Sequence, residues 1–447
     1  MRCARAVRRG FFPLDEELQL LAGHYTPTVY EDMTRLATWM PFARAVKEVA
    51  YFRQTHVTEA TVRRQTEAAG AAYVAVQQHE VERLERDTPP APPGPAQQFL
   101  SVDGAFVPLV GGEWAEVTHR PTPAKGGGHG QTLAIGEVEP PKQVKDETVI
   151  QTRALSYYSR LTDATTFQRL ALVETHRRGV ETAGAVGAVT DGAEWCQSFV
   201  GFHRSDAVRI LDFPHAGEHL AQIGQAVFGE GTAATDAWFT QHLHQLKHAG
   251  PTAVLAEVHQ LLAAHADLTA LAEPVTYLDK REAQMQYPAF QAAGWPIGDG
   301  AVESANKLVV EARLKGSGMH WARPHVDPLL ALRNLACNDR WDEGWPQIVG
   351  ELRRRTQQRS AEKRQQRHAC CDAHYSFTRP PASEPAESVP PPREAAPAPR
   401  AFGGPASATK PQSEKPNCPH RPAANHPWRK QPAVLKTQRQ LTQSKRS

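Results

Sequence analysis

Three acidic residues of this sequence stand where a predicted strand or helix begins or ends. Asp103 lies within a segment rich in β-forming residues, Asp191 follows a short apolar segment, and Glu303 falls in the first turn of a predicted helix. Converging carboxylates repel one another, and Mg²⁺ relieves that repulsion because it prefers hard oxygen ligands. Two such ions about 4 Å apart activate a water or hydroxyl group and stabilise the leaving oxygen of a phosphodiester. The residue types therefore allow metal-dependent phosphodiester chemistry.

Each of the three acids also has an ordinary structural explanation. Asp103 precedes a glycine and suits a turn or bulge. Asp191 suits the N-cap of the helix that follows it, and Glu303 suits the positive end of its helix dipole. Spacing alone leaves both interpretations open.

An aspartate and a histidine follow the next predicted strand. The segment Ala207–Leu211 ends at Asp212, and His215 comes three residues later in the quartet DFPH. Both side chains should lie near the same sheet edge as the acids, where they could position the site or the DNA. A structural histidine beside a helix-capping aspartate explains them equally well.

Basic residues on and after the Glu303 helix are candidates to contact DNA. Lys307 is four residues after Glu303 on the same helix face, where it could approach a phosphate or form a surface ion pair with Glu303. Arg313 and Lys315 precede a Gly-Ser-Gly loop and could contact a DNA backbone.

The elements that must position these residues alternate as in an α/β sheet. A helix is predicted over Arg153–Ala183, with a possible break near Leu161. Helical segments also follow Asp191, dominate the stretch from Ala216 to Gln284, and begin again at Val302. The predicted strands are Gln98–Leu109, Trp114–His119, Thr132–Val138, Gly184–Thr190 and Ala207–Leu211, the first three forming an antiparallel meander.

The region before the first strand is predicted to be helical from Leu14 to Asp87. A helix over Pro41–Thr55 is followed by a second that begins after Thr58 and that Gly70 could end or bend. This order suggests a helix-turn-helix whose second helix carries Arg63 and Arg64 toward DNA. An ordinary helical hairpin with solvated arginines is the alternative.

The charge is divided unequally along the chain. The 447 residues carry 51 Lys+Arg and 48 Asp+Glu, but residues 351–447 contain 19 basic against 7 acidic residues and 15 of the 36 prolines. That segment is therefore expected to be a disordered tail suited to a polyanion, or merely a solvating one. No run of about 18 apolar residues predicts a membrane span. The six cysteines are scattered, which favours a reducing cytoplasm.

Several stretches together resemble the bacterial insertion-sequence transposases of the ISKra type, which are related to Mutator-like transposases. They are SVDGAFVPL, LSYYSRLTDATTF, AVTDGAEWCQSF, RILDFPHAGEHL, LHQLKHAGP and GWPIGDGAVESANKLVVEARLKGSGMHW, with RPAANHPWR in the tail. The resemblance implies an RNase H-like catalytic core interrupted by an α-helical insertion. It places the family's Asp-Asp-Glu set on Asp103, Asp191 and Glu303, with two Mg²⁺ or Mn²⁺ ions as cofactors.

The start of the chain departs from the pattern of that family. Relatives often carry a zinc-knuckle-like CxxC before the FFPLDEEL-like stretch, whereas this chain reads CARA there, with Cys3 but Ala6. We therefore do not predict a zinc site at this position. The residues expected further upstream are missing, which leaves an earlier start of the protein open.

The predicted organisation is an α/β fold with an RNase H-like core, an all-α insertion, a small all-α helix-turn-helix domain before it and a disordered tail after it. The segments are a helical region (1–87), a Pro-rich linker (88–97), the first part of the core (98–215), the insertion (216–295), the last core helix (296–350) and the tail (351–447).

The resemblance implies a DNA transposase that hydrolyses and transfers strands at the ends of its element. Its partners would be the terminal repeats, target DNA and further copies of the chain assembled on DNA, in the cytoplasm and on the nucleoid, with no membrane partner. A non-catalytic DNA-binding protein derived from a transposase, or a metal-dependent nuclease that does not join strands, is the alternative.

Overall fold

A five-stranded mixed sheet stands at the centre of the molecule. The computed structural model describes residues 21, 25–110, 114–115, 129–144, 147–265 and 267–377. The strands are β1 (Gln97–Ala105), β2 (Val107–Pro108), β3 (Trp114–Ala115), β4 (His129–Val138), β5 (Lys142–Val144), β6 (Glu147–Val149), β7 (Thr152–Thr162), β8 (Ala185–Thr190) and β9 (Val208–Leu211). The sheet has the order β7–β4–β1–β8–β9. Its first three strands are antiparallel neighbours, whereas β1, β8 and β9 run parallel.

Helices make up most of the rest of the described chain, which is therefore of mixed α/β class. They are α1 (Pro27–Trp39), α2 (Phe42–Arg53), α3 (Glu59–Asp87), α4 (Ala164–Leu170), α5 (Leu172–Arg177), α6 (Glu194–His203), α7 (Phe213–Phe228), α8 (Ala233–Ala249), α9 (Pro251–Ala264), α10 (Ala272–Asp279), α11 (Tyr287–Ala292), α12 (Gly300–Ala305), α13 (Ala312–Leu314), α14 (Val326–Cys337) and α15 (Trp341–Phe377). Short 3₁₀ turns lie at Thr269–Leu271, Glu282–Gln284 and Arg323–His325. A π-helical segment, Asn306–Glu311, joins α12 to α13, so residues 300–314 form one helical rod, here called the Glu303 helix.

The meander is built from other segments than the sequence predicts. The helix predicted over Arg153–Ala183 is wrong in its first part, because Thr152–Thr162 forms the edge strand β7. The strand predicted at Trp114–His119 is described only at Trp114–Ala115, where it pairs with β2. The third strand of the meander is therefore β7.

Asn334 of α14 and Asn338, the residue directly after that helix, pair with backbone groups on the outer edge of β7. The side-chain amides of Asn338 and Asn334 each bond both backbone groups of one strand residue, Tyr157 and Ser159, at 2.8–3.1 Å. A covered edge cannot template pairing with another chain. These partners lie about 175 residues away in sequence, which is why local periodicity did not reveal the strand.

The two faces of the sheet are covered by different helices. Leu100 and Val102 of β1 point to one face and pack with the buried side chains of α4 and α6. Phe99 points to the other face and packs with residues of α7 to α10. Because side chains alternate along a strand, Asp103 shares the face of Phe99. The helices predicted over Ala216–Gln284 are confirmed, and they cover the face to which Asp103 points.

The N-terminal helices share their core with the helices that follow the Glu303 helix. Buried residues of α1 to α3 belong to one apolar cluster with residues of α14 and α15. The prediction that Gly70 ends or bends its helix is wrong, because α3 runs unbroken from Glu59 to Asp87. A Cβ added at Gly70 would lie 2.1 Å from the carbonyl oxygen of Pro328, so the glycine allows α3 and α14 to approach closely. The predicted N-terminal domain therefore has no separate core in the part of the chain that the structure describes.

The predicted tail begins later than its composition suggests. Helix α15 continues to Phe377, so the prediction of disorder is wrong for residues 351–377. Residues 378–447 lie outside the described residues, as do Cys3 and the Gly-rich stretch before β4. The described residues up to Phe377 belong to one compact unit. Within the described ranges, no helix has the length and apolar character needed to cross a membrane.

Candidate active site

The register of the parallel strands aligns three aspartates along one edge of the sheet. Ser101 of β1 pairs with Val189 of β8, so that Asp103 and Asp191 follow at equivalent positions two residues later. Thr190 pairs with Leu211 of β9, and the next residues are Asp191 and Asp212. Adjacent strands lie about 4.8 Å apart. The three aspartates therefore stand side by side at the carboxyl ends of β1, β8 and β9.

Asp103 is held from two sides. Its Oδ1 accepts a hydrogen bond of 2.6 Å from the backbone N–H of Gly104, and its Oδ2 accepts one of 3.0 Å from the side-chain amide of Asn306. The pKa of Asp103 is raised to about 6, mainly by burial and less by the charges of Asp191 and Glu303, although the hydrogen bond from Gly104 lowers it. Asn306 was not among the predicted site residues, although it lies three residues after Glu303, one helical turn along the rod.

Asp191 is fixed by the turn that ends β8. Its Oδ1 accepts hydrogen bonds from the backbone N–H of Ala193, at 2.9 Å, and from the Cys196 thiol, at 3.3 Å. The prediction that Asp191 is the N-cap of the following helix is wrong, because the N-cap of α6 is Ala193. The bond from the Ala193 N–H instead closes an Asx turn between β8 and α6. Both hydrogen bonds end on Oδ1, and neither donor contacts Oδ2 of Asp191.

Asp212 caps α7 and links it to the loop before the Glu303 helix. Its Oδ2 accepts from the backbone N–H of His215, and its Oδ1 accepts from the backbone N–H of Asp299, both at 2.9 Å. The capping role that competed with a functional one is therefore present. His215 itself lies within 3.2 Å of Glu218 through Nδ1 and packs its ring against Tyr277.

Asp299 is a further carboxylate of the site that sequence reasoning missed. It is 9% exposed and immediately precedes the Glu303 helix. Burial raises the pKa of Asp299, and the charges of Asp212, Asp103, Glu303 and Asp191 raise it further. The signal was available in the loop GWPIGDGA, where the Asp-Gly pair stands at the start of the predicted helix.

Glu303 approaches from the helix that crosses the sheet. Val302 and Ala305 of α12 pack on Ala134 of β4, which fixes the rod against the strands. The side chain of Glu303 is 57% exposed, and Lys307 Nζ lies 3.6 Å from its Oε2. Directly after this turn the helix takes the π form at Asn306–Glu311. Such segments occur often at functional sites.

The donor set suits a hard cation, but it is not closed around one. The five acidic residues of the site offer carboxylate oxygens, which Mg²⁺ prefers: Asp103, Asp191, Asp212, Asp299 and Glu303. Each oxygen has two lone pairs, so one hydrogen bond from an N–H group leaves the oxygen able to bind a metal. Over the described residues, however, no group of three or more His, Cys, Asp or Glu side chains is arranged so that it could hold a metal ion as it stands. The residues fit a divalent cation in the chemistry of their donor atoms, and three of them align at the ends of neighbouring strands.

The predicted DNA-contacting residues divide between core and surface. Arg313 is 2% exposed, donates a 2.8 Å hydrogen bond to the carbonyl of Ala37 and lies over the rings of Phe42 and Trp321. Burial lowers its pKa to about 10. The prediction that Arg313 contacts DNA is therefore wrong for this structure, because the residue joins the Glu303 helix to α1 and α2.

The other predicted contact residues remain at or near the surface. Lys307 is 70% exposed, and Lys315 is 25% exposed and ion-paired with Glu311 at 2.5 Å. Arg63, 60% exposed, lies 3.9 Å from Glu67, and Arg64 is exposed on the same helix. These positions are compatible with contact to a nucleic acid.

Comparison of the chain with profiles of known protein families and with curated protein sequences gives no significant match.

Proposed function

We propose that this chain is a DNA transposase of an insertion sequence, which cleaves a phosphodiester at the ends of its element and joins the freed end to target DNA. The observation that carries the proposal is the alignment of Asp103, Asp191 and Asp212 at the ends of three adjacent parallel strands, facing the helix that bears Glu303. In open α/β sheets, functional groups gather at this edge.

The topology supports an RNase H-like core. Three antiparallel strands are followed by two parallel ones in the sheet order β7–β4–β1–β8–β9, and helices α7 to α11 interrupt the chain between β9 and the Glu303 helix. This order is the one expected of the interrupted core that the resemblance to ISKra-type transposases implies.

The acidic residues would hold one or two divalent cations. When bound, Mg²⁺ or Mn²⁺ supplies charge stabilisation for the phosphodiester and acidifies a water or hydroxyl group. Asp103 and Asp191 offer oxygens from neighbouring strands, while Asn306 orients Asp103 through its amide. Glu303 offers a carboxylate from the opposite side, and Lys307 beside it could contact a phosphate.

A second candidate follows from the open arrangement of the side chains. In the described part of the chain, no three acidic, histidine or cysteine side chains are gathered so that they could hold a metal ion. The alternative is therefore a DNA-binding protein that retains the acidic residues but does not cleave DNA. A nuclease that cuts without joining differs only in its products.

The deciding experiment incubates the full chain with labelled terminal-repeat DNA and a target duplex, with Mg²⁺, Mn²⁺ or EDTA. Nicked ends and joined products that need the metal support a transposase, whereas nicks alone indicate a nuclease. If the original chain and Asp191→Asn bind the DNA equally and neither forms nicked or joined products, the non-catalytic candidate is favoured. Chemical cross-linking with and without DNA in the same reactions tests the expected assembly of several copies.

A further inference from the structure

Two tyrosines of the helical insertion donate to backbone carbonyls at the ends of the strands that carry the aspartates. The Tyr277 hydroxyl, from α10, donates to the carbonyl oxygen of Asp191. The Tyr287 hydroxyl, from α11, donates at 3.0 Å to the carbonyl oxygen of Leu211, the residue before Asp212. The insertion therefore contacts the backbone of both strand ends.

Arg281 adds a second contact to the same turn. Its Nε and Nη2 donate to the carbonyl oxygen of Gly192 at 3.0 and 2.5 Å. Gly192 has φ +78°, and a Cβ added there would lie 2.4 Å from Arg281 Nε. The left-handed backbone conformation favours glycine at this position, and any side chain there would displace the Arg281 guanidinium from its bond.

These side chains are themselves held in place. The Tyr277 ring stacks on the His219 ring with centroids 3.9 Å apart. The Arg281 guanidinium lies over the same tyrosine ring, 3.7 Å from its centroid. Arg281 also donates at 3.0 Å to the carbonyl of Tyr277. Apolar residues of α10, Val275 and Leu278, anchor the helix in the core that it shares with β8 and β9.

We infer that Tyr277 and Arg281 are positioning residues that hold the Asp191–Gly192 turn in the orientation that the proposed metal site requires. Neither side chain needs to touch DNA or metal for this role. Their contacts fix two consecutive carbonyls, so the direction in which the Asp191 carboxylate leaves the backbone depends on the insertion. The role at a metal rests on the proposed function, but the positioning itself does not.

The experiment compares Tyr277→Phe and Arg281→Gln with matched controls in the full chain. Tyr30→Phe removes a buried tyrosine hydroxyl that donates to the Gln65 carbonyl at 3.2 Å, in the N-terminal helices. Arg204→Gln removes an arginine that donates to two consecutive carbonyls, Val180 and Glu181, in the segment before β8.

Two readouts are measured: hydrogen exchange of a peptide spanning residues 190–194, and Mn²⁺ affinity from the electron paramagnetic resonance signal of the free ion. We expect exchange in this peptide to rise about tenfold in Tyr277→Phe and Arg281→Gln, and not in the controls. Mn²⁺ affinity should fall about tenfold in the same two variants, with partial recovery in Arg281→Lys.

The outcomes separate the two proposals. Unchanged exchange in Tyr277→Phe and Arg281→Gln would overturn the positioning role, whatever the metal affinity. Faster exchange in a protein that binds no Mn²⁺ would support the positioning role and count against the proposed metal chemistry. Equal loss of Mn²⁺ affinity in the controls would show that the effect is not specific to this turn, which would also overturn the inference.

Discussion

The carboxyl ends of β1, β8 and β9 and the N-terminal helices place their charged side chains in opposite ways. Asp103 and Asp212 are mostly withdrawn from solvent and receive hydrogen bonds from backbone N–H groups. Arg63 and Arg64 stand exposed on α3, and the nearest acid to Arg63 is 3.9 Å away. Desolvated carboxylates with raised pKa values suit a fixed reaction site, whereas exposed arginines suit a reversible contact with phosphates.

Under the proposed function, this difference would make chemistry and DNA recognition separable in this molecule. Variants at the strand ends should change metal binding and catalysis without changing affinity for DNA, and variants on the exposed side of α3 should do the reverse. The following changes test that division.

The largest effect is expected for Asp191→Asn. The change removes the charge that metal ligation needs and keeps the side-chain shape and an oxygen for the Ala193 N–H. We expect cleavage of terminal-repeat DNA to fall about 1,000-fold or more, while the dissociation constant for the same DNA changes less than about twofold. Cleavage is followed with end-labelled duplex and binding by fluorescence anisotropy. An Asn variant that cuts at near the original rate would remove Asp191 from the site.

The next effect concerns whether α3 is a core element or a detachable one. Gly70→Ala adds a Cβ that meets the backbone of Pro328 at 2.1 Å, which helices α3 and α14 can relieve only by moving apart. We expect the free energy of unfolding to fall by about 1–3 kcal/mol, as overpacking does in other cores. Urea denaturation followed by tryptophan fluorescence measures it.

Gly350→Ala is the matched control, because a Cβ at that helical glycine meets nothing within 4 Å. Equal stability of Gly70→Ala and the original chain would mean that the N-terminal helices are not tied to α14 as described.

The sequence predicted the strand ends better than the elements between them. Asp103, Asp191 and Asp212 lie in or directly after short β-rich or apolar runs, and these local patterns suffice to place them at strand ends. The edge strand β7 was missed because its outer backbone groups are satisfied by Asn334 and Asn338, which no local pattern connects to it.

The prediction that both Arg313 and Lys315 contact DNA rested on their charge alone, which does not show whether a side chain is buried. Arg313 lies at the end of the Glu303 helix and Lys315 directly after it, yet Arg313 is buried among the rings of Phe42 and Trp321. Only the packing of α1 and α2 against the Glu303 helix distinguishes them. Likewise Asn306 carries no signal of its own, and its role at Asp103 follows from the helix crossing the sheet.

A smaller effect is expected from pH on the metal-free protein. Burial raises the pKa of Asp103 to about 6, and burial beside Asp212 raises that of Asp299. In the unfolded chain both groups should titrate near the ordinary value of about 3.9. The folded state therefore binds more protons above that value, and the resulting stabilisation is full below about pH 4 and is lost as the pH rises through the folded pKa values.

We accordingly expect the Tm without metal to fall by roughly 3 °C between pH 5 and pH 8, measured by differential scanning fluorimetry in EDTA. Mg²⁺ should recover part of the loss at pH 8, since it replaces the protons as the partner of the carboxylates. Asp103→Asn should show a flatter profile. A Tm that rises toward pH 8 without metal would contradict the crowding of acids at this edge.

The smallest effect, and the one that tests the other side of the comparison, concerns Arg63 and Arg64. Both lie in the second turn of α3, which is joined to α2 by five residues. The N-terminal residues of a recognition helix are those that reach base edges and the flanking phosphates. Changing both to Ala should therefore reduce the preference for terminal-repeat over random DNA by about tenfold and lower the salt slope of binding by about 2. Mn²⁺ affinity should be unchanged, because the two arginines lie outside the carboxylate cluster.

Deletion of residues 378–447 is the contrast, since a basic segment that reads no base sequence should weaken binding to both DNAs alike. The measurement is a salt titration of anisotropy with terminal-repeat and random duplexes for both variants. Should the deletion remove the preference while the double Ala variant keeps it, the exposed side of α3 is not the recognition surface, and the N-terminal helices serve the core that they share with α14 and α15.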